Sequence, residues 1–554
     1  MTARRGVLAL SVLVLALAAG CGSSGSGKGQ LSQARGEVKF RPFPALRVEI
    51  GPALDSLDPG LSYTIEGWQI LWNVYLSPLG YTHANGADGA EIVPALAEEM
   101  PKVTGDGLNY SFRLREGLRY SNGKPVRASD FEFAIRRLYI LNSPGASLFD
   151  DIAGANRAAA RSGDIAGITT DDGKRTVTIK LRRPRSDFAN ALASLFAAPV
   201  PRGTPMQDRT RRPIPSTGPY AISEVVPTAK IKPLKSLTLT RNSFFEPTES
   251  VPETNPDRIT ARITLDGQSA LQEILVGRAD YSGEPVANDS MERVRKEKQA
   301  QLRLYTGANT YYFFMNTKLR PFNDVRVRRA VNYALDRNVL TEVYGGLAVP
   351  TENVLPPVYP SYKQLSLYPY NLAKARALVR EAGAEGAAVT VYGIATPAAV
   401  EAVYYLQRQL KAIGLKPRQA PELLDPSSYW ATVGNRRTKA KIGFAYWIQS
   451  YPNPLEWFVA LFDGSVVRGV PNSNYSFADI PAVNATVVRL SKEPQLTSEV
   501  DDEWAALDEK VMRQALIAPF LNRRYVDIFS NDLDLNCYVT HVLYQVDFGR
   551  LCRS

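Results

Sequence analysis

One apolar run, Gly6–Gly20, preceded by Arg4 and Arg5 and closed by Cys21, divides this chain into a short leader and a long body. Positive charge, an apolar stretch and then the small residues Ala18-Ala19-Gly20 form the layout of a cleaved export signal. The run is shorter than the roughly 20 residues a membrane-spanning helix needs, and no later stretch is apolar for that length. The body is therefore expected to fold outside a membrane. Residues 22–30, GSSGSGKGQ, read as a flexible tether between leader and body.

Cys21 gives the leader a more specific meaning. Ala18-Ala19-Gly20-Cys21 resembles a bacterial lipobox, in which the cysteine thiol is diacylated and becomes the new N-terminus. Leu17 lies one place before the position where leucine is usual, and Ala18 occupies that position. The expectation is a signal peptide over residues 1–20, a tether over 21–40, and a body held by lipid at Cys21 on the extracytoplasmic side of a bacterial membrane. Gly22 to Gly27-Lys28 has the glycine-lysine spacing of a phosphate-binding loop, but Gly29 stands where Mg²⁺ binding needs Ser or Thr and no strand precedes it. It reads as a chance match.

Removing the leader from the 554 residues leaves 534, more than one hydrophobic core organises, so two or more lobes are expected. The formal charge falls from +11 to +9 with Arg4 and Arg5, spread over 64 basic and 55 acidic residues. A surface so mixed, with no Lys/Arg run, suits solvation near anionic lipid better than nucleic-acid binding. Outside the anchor only Cys537 and Cys552 remain, and export makes a disulfide between them the expectation, closing a loop of about 16 residues and contributing roughly 3 kcal/mol. His83 and His541 are the only histidines, too few for a zinc cluster and poorly suited to a Ser-His-Asp triad. Ser121-Asn122-Gly123-Lys124 matches S-x-x-K, but its glycine suits a turn and no K-T-G follows. No metal or cofactor is expected.

Helical and strand signals alternate along the body. Leu46–Ile50 reads as a strand ending at Gly51-Pro52, and Tyr110–Arg115 as a strand leading to the turn Asn122-Gly123. Asp130 is expected to cap a helix over Phe131–Leu138. Val325–Tyr344 reads as one helix stopped by Gly345-Gly346, Asn371–Ala382 as another stopped by Gly383, Ala388–Tyr392 as a strand, and Ala398–Ile413 as a helix. Such alternation predicts an α/β protein of several lobes.

The order of motifs resembles the extracytoplasmic solute-binding proteins of peptide-type ABC importers, family 5, the dipeptide, oligopeptide and nickel group. Gly105–Arg137 follows the family's D-G-x-x-Y-x-F-x-L-R-x-G-x-x-x-x-x-G-x-P-x-x-A-x-D pattern. Around it stand Leu57-Asp58-Pro59, Val93-Pro94-Ala95-Leu96-Ala97, Thr217-Gly218-Pro219-Tyr220, Asn316-Thr317, Pro321-Phe322 and Ala334-Leu335-Asp336-Arg337. Ser216 departs from the glycine of many relatives. The resemblance implies a two-lobed periplasmic-binding-protein-like α/β fold with three structural domains and a hinged ligand cleft. The first would comprise 41–75, 206–309 and 524–554, the second 76–205, and together they would make lobe 1; the third, 310–523, would be lobe 2. The implied protein is a monomer that presents a small peptide-like solute to ABC permease subunits and is not an enzyme.

Candidate ligand residues come from segments that the family places at the cleft. Trp447-Ile448-Gln449-Ser450-Tyr451 resembles the family's W-x-x-D-Y element, whose aspartate receives a ligand α-ammonium. Ser450 can hydrogen-bond but cannot neutralise a cation, so a free-amine peptide would need another carboxylate, such as Glu456 or Glu66. Tyr63, Trp68, Asn309 and Tyr312 complete the set with Trp447, Ser450 and Tyr451. An oligosaccharide or modified peptide is the alternative solute, and an exported enzyme or envelope structural protein the alternative of a different class.

Overall fold

The computed structural model describes residues 40–163, 165–228, 234–286, 288–468, 472–493 and 496–554. The leader, Cys21 and all of the tether except Phe40 lie outside the described residues. No helix among them is long and apolar enough to cross a membrane.

A twelve-stranded mixed sheet runs through the molecule, and one strand joins its two parts. Ile517–Phe529, thirteen residues long, pairs antiparallel with Leu302–Thr306 and Tyr281–Ser282 through its C-terminal part. Its N-terminal part pairs with Asn309–Met315 and Ala348–Pro350. On one side the sheet continues through Leu46–Ile50, Arg258–Ile263, Leu234–Arg241 and Tyr220–Pro227. On the other it continues through Ile442–Ile448, Val391–Ile394 and Glu422–Leu424. Asn309–Met315 is buried on both faces, which suits its largely apolar sequence, whereas Leu46–Ile50 alternates apolar residues with Arg47 and Glu49.

Apolar side chains gather into two large cores. One is built around Leu46, Val48, Ile70, Phe131, Ile179 and Leu237; the other around Phe313, Val331, Leu406, Phe444, Trp457 and Phe520. A small third core holds Leu271, Ile274, Val526 and Ile528. The cores meet at two crossings of the chain, Gly307-Ala308 and Asn522–Arg524. Gly307 is required there, since a Cβ would lie 2.2 Å from the Tyr525 ring.

Two buried ionic knots fix the turns that lead to the cleft. Asp58, in the Leu57-Asp58-Pro59 turn, takes Arg137 in a bidentate pair at 2.9 and 2.7 Å, plus the Gly60 and Arg209 amides. Arg185 forks onto Asp187 at 2.7 and 2.5 Å. Cys537 and Cys552 are disulfide-bonded and close the C-terminal segment, while Leu533-Asp534 pairs with Cys552-Arg553.

Local structure departs from the sequence reading at three places. The helix around Phe131 runs Ala128–Leu141, with Arg127 as its N-cap; Asp130 stands three residues in, accepting Arg127 N at 3.0 Å and Arg202 N at 3.0 Å. The stretch Val325–Tyr344 is two helices, Val325–Ala334 and Arg337–Glu342, because Leu335 is extended and Asp336 caps a new start through Asn338 N. Ala388–Tyr392 divides into Ala388-Val389, paired with Lys416-Pro417, and Val391–Ile394, which enters the large sheet. The helix expected over Asn371–Ala382 runs Leu372–Glu381 with Asn371 as its N-cap, and Gly383 follows with φ +60°.

Candidate functional site

Six separate stretches of chain line a cavity of about 240 Å³ between the two large cores. Thr64 caps helix Ile65–Leu71 through Gly67 N, and Asp55 accepts Tyr63 N at 2.6 Å together with the Ser62 and Thr64 hydroxyls. This knot holds Tyr63 and Trp68 on one wall, their rings edge to face at 5.4 Å. Phe196 approaches Tyr63 at 6.2 Å and lies so close to Gly145 that a Cβ there would sit 2.2 Å from the ring. Tyr544 closes another side, stacked on Trp72 and His541.

Ser450 and Tyr451 reach the cavity from the other core, on the turn between strand Ile442–Ile448 and helix Pro454–Phe462. Asn453 caps that helix and Pro454 takes its first position. Gln449 anchors the turn, accepting from Tyr359 Oη at 2.6 Å and donating to Val542 O at 3.0 Å. Side chains then bridge the cores: Tyr63 Oη and Ser450 Oγ lie 3.2 Å apart, Tyr451 Oη donates to Asp187 at 2.6 Å, and Asn453 Nδ2 donates to Asn190 at 3.0 Å.

Arg185 is the sole ionised side chain among the described residues that line the cavity. Burial alone would lower its pKa, but the charge of Asp187 and the fork to it win, and the guanidinium titrates above its ordinary value. Asp187 is likewise held below the carboxylate range, since Arg185 and the Tyr451 hydroxyl outweigh its burial. Glu456 stands one layer back. Burial pushes it up to about 7, against hydrogen bonds from Ser450 and Tyr451 that favour its charged form.

Of the candidates from sequence, Tyr63, Trp68, Ser450 and Tyr451 meet at this cavity. Asn309, Tyr312 and Trp447 are not among its lining residues. Asn309 is fully buried at the crossing, its Oδ1 accepting Arg523 N at 2.6 Å and its Nδ2 donating to Arg523 O at 3.2 Å. Tyr312 lies inside the second core. Trp447 packs against that core, and its Nε1 is enclosed with no hydrogen-bond partner. Sequence reasoning missed Arg185, Phe196 and Tyr544, which stand in no motif and are brought to the wall by folding alone.

Two cores joined by paired chain crossings, with a small cavity bridged by side chains from both, define the architecture. The sequence profile of "Bacterial extracellular solute-binding proteins, family 5 Middle" matches residues 91–468, and the chain belongs to that family. Heme-binding protein A of Haemophilus influenzae is 26% identical over 360 residues, 62% of this chain and 61% of that protein. The glutathione-binding protein GsiB of Salmonella typhimurium is 28% identical over 339 residues, 60% of this chain and 62% of its own. The matches thus span about three-fifths of these relatives' lengths. In fold the chain is similar to clavulanic acid biosynthesis oligopeptide binding protein 2, with a TM-score of 0.82 and 24% identity over 93% of this chain and 96% of the other. It is also similar to the unliganded open form of the murein tripeptide binding protein MppA, at 0.76 and 21% over 92% and 97%.

Proposed function

We propose that this protein is a lipid-anchored extracytoplasmic receptor that captures a small peptide or peptide-like solute and presents it to an ABC import permease. The observation that carries the reading is the cavity bridged by Tyr63–Ser450 and Tyr451–Asp187, because a solute held there touches both cores at once. Contacts to both sides give the differential affinity that shifts an open–closed equilibrium. At about 240 Å³ the cavity falls below the usual range for drug-sized ligands, which favours a solute of a few residues over a planar macrocycle. The division into lobe 1 (41–75, 206–309 and 524–554 with the inserted 76–205) and lobe 2 (310–523) is supported by the two large cores and by the crossings near Gly307 and Asn522. Capture as a monomer, without catalysis, follows from the family reading.

Small molecules released by denaturing the purified protein, identified by mass spectrometry, test the solute class. Di- or tripeptides are expected, and recovery of a lipid or a macrocycle in stoichiometric amount would refute it. The anchor is tested by Cys21→Ser, which should leave the membrane fraction; an unchanged distribution would overturn it. A second reading, an uncharged solute such as an oligosaccharide or blocked peptide, is favoured by the neutralised Arg185–Asp187 pair and the aromatic wall.

A further inference from the structure

A second cavity, of about 330 Å³, opens between the stretch that follows strand Leu46–Ile50 and the bend at Gln207–Arg212. None of its lining residues lines the solute cavity. Leu54 and Leu234, both members of the first core, form its apolar wall. The bend is fixed by its backbone: Arg212 N donates to Arg209 O at 2.9 Å, Arg209 N donates to Asp58 at 3.2 Å, and Leu57 N donates to Thr210 Oγ1 at 3.0 Å. Arg209, Arg211 and Arg212 are thereby gathered at one cavity.

The charges that line it are unequally satisfied. Asp55 accepts Ser56 N at 2.7 Å, Tyr63 N at 2.6 Å and the Ser62 and Thr64 hydroxyls at 3.0 Å. Asp208 accepts both Thr210 N and Thr210 Oγ1 at 2.7 Å, with Ser56 Oγ at 3.3 Å. Asp58, which holds the Arg209 amide, is already forked by Arg137. The three arginines, by contrast, make no ion pair and donate no side-chain hydrogen bond among the described residues. Arg209 Nε is enclosed and still has no acceptor, whereas Arg211 and Arg212 are exposed at the mouth. An enclosed N–H without an acceptor is costly, and three guanidiniums against two well-supplied carboxylates leave the cavity short of negative charge and of acceptors.

We propose that this cavity is a second binding site, separate from the solute cavity, and that it takes a phosphate ester. Guanidinium forks match the oxygens of carboxylate and phosphate, and a phosphate group presents three strong acceptor oxygens where a carboxylate has two, one for each arginine. The organic part of the ester packs on Leu54 and Leu234, in a volume within the range of small-molecule sites. A soluble sugar or glycerol phosphate and the headgroup of an anionic phospholipid both carry this chemistry.

The test is calorimetric titration of the full-length protein with glycerol 3-phosphate and with dihexanoyl phosphatidylglycerol below its micellar concentration, glycerol serving as the blank. At least one ester should bind, and the tighter of the two identifies the source. Arg209→Gln, and Arg211→Gln combined with Arg212→Gln, should each weaken that binding at least tenfold. Absence of binding by both esters at millimolar concentration overturns the proposal, and so does binding that the paired replacement leaves unchanged. Should a variant not fold, phenylglyoxal modification of the unmodified protein decides: the bound ester should protect Arg211 and Arg212 in peptide maps, and equal labelling with and without it refutes the site.

Discussion

Asn309, a ligand candidate from sequence, stands at the chain crossing, where the loss of its bonds can be measured. Its amide clasps the two chain crossings: Oδ1 takes Arg523 N at 2.6 Å, Nδ2 donates to Arg523 O at 3.2 Å, and its own carbonyl accepts Asn522 Nδ2 at 2.7 Å. Asn309→Ala removes the first two bonds. Arg523 O keeps Gly307 N at 3.0 Å, but Arg523 N is left without its acceptor. An orphaned buried donor costs about 1–3 kcal/mol, and the second, partly replaced bond adds about 1 kcal/mol, so the loss should be about 2–4 kcal/mol. Urea denaturation gives the stability, and hydrogen exchange at the Arg523 amide gives the local effect, which should be faster by more than the global change explains. The substitution should also loosen the angle between the cores, visible as a larger radius of gyration by small-angle scattering without ligand. A stability change under about 0.5 kcal/mol with unchanged Arg523 exchange would refute the clasp. A pure loss of peptide affinity, with stability intact, would return Asn309 to the ligand site.

Arg137→Met strips Asp58 of its buried partner and should cost about 3–5 kcal/mol in chemical denaturation, far more than loss of an exposed pair. Asp527, buried and hydrogen-bonded by Tyr281 and Tyr538, is pushed by burial up to about 7. A raised carboxylate pKa destabilises above the unfolded value near 4, so Asp527→Asn should gain more stability at pH 8 than at pH 5, by up to about 2–3 kcal/mol; equal effects at both pH values would refute this. His541 has the opposite sign: burial pulls it down to about 3, so its contribution is full above the unfolded value of 6.5 and is lost as pH falls toward 3, about 2 kcal/mol by pH 5. Comparing His541→Gln with the parent across pH 5–8 by thermal melts should show the parent's advantage shrinking on acidification. Trp447→Phe should change stability by less than about 1 kcal/mol, because the indole Nε1 it removes has no partner to lose.

How much was legible follows from the range over which each feature is encoded. Stops are local, so Gly383 could be read directly, and the strand Leu46–Ile50 shows in its alternation of apolar and charged residues. Asp130 and Asp336 were harder for a physical reason: an aspartate before an apolar stripe serves equally as a cap or as a third-position acceptor, and only the extended backbone at Arg127 and Leu335 settles which. The cavity is less local still. Tyr63 and Ser450 touch across 387 residues of chain, and Tyr451 reaches Asp187 across 264, separations that no periodicity records. Motif spacing could mark the turns that carry Tyr63 and Ser450, but Phe196 and Tyr544 enter the wall through packing on Gly145 and Trp72, and Arg185 through its bonds to Asp187 and Leu148 O. The three candidates placed elsewhere share one cause. Asn309, Tyr312 and Trp447 stand on the paired strands Asn309–Met315 and Ile442–Ile448 of the sheet interior, whereas Ser450 and Tyr451 come just after a strand end, where the chain leaves its ladder and side chains are free to face a solute. Among the candidates on this side of the molecule, the two residues just after the strand line the cavity, whereas those within the paired strands do not.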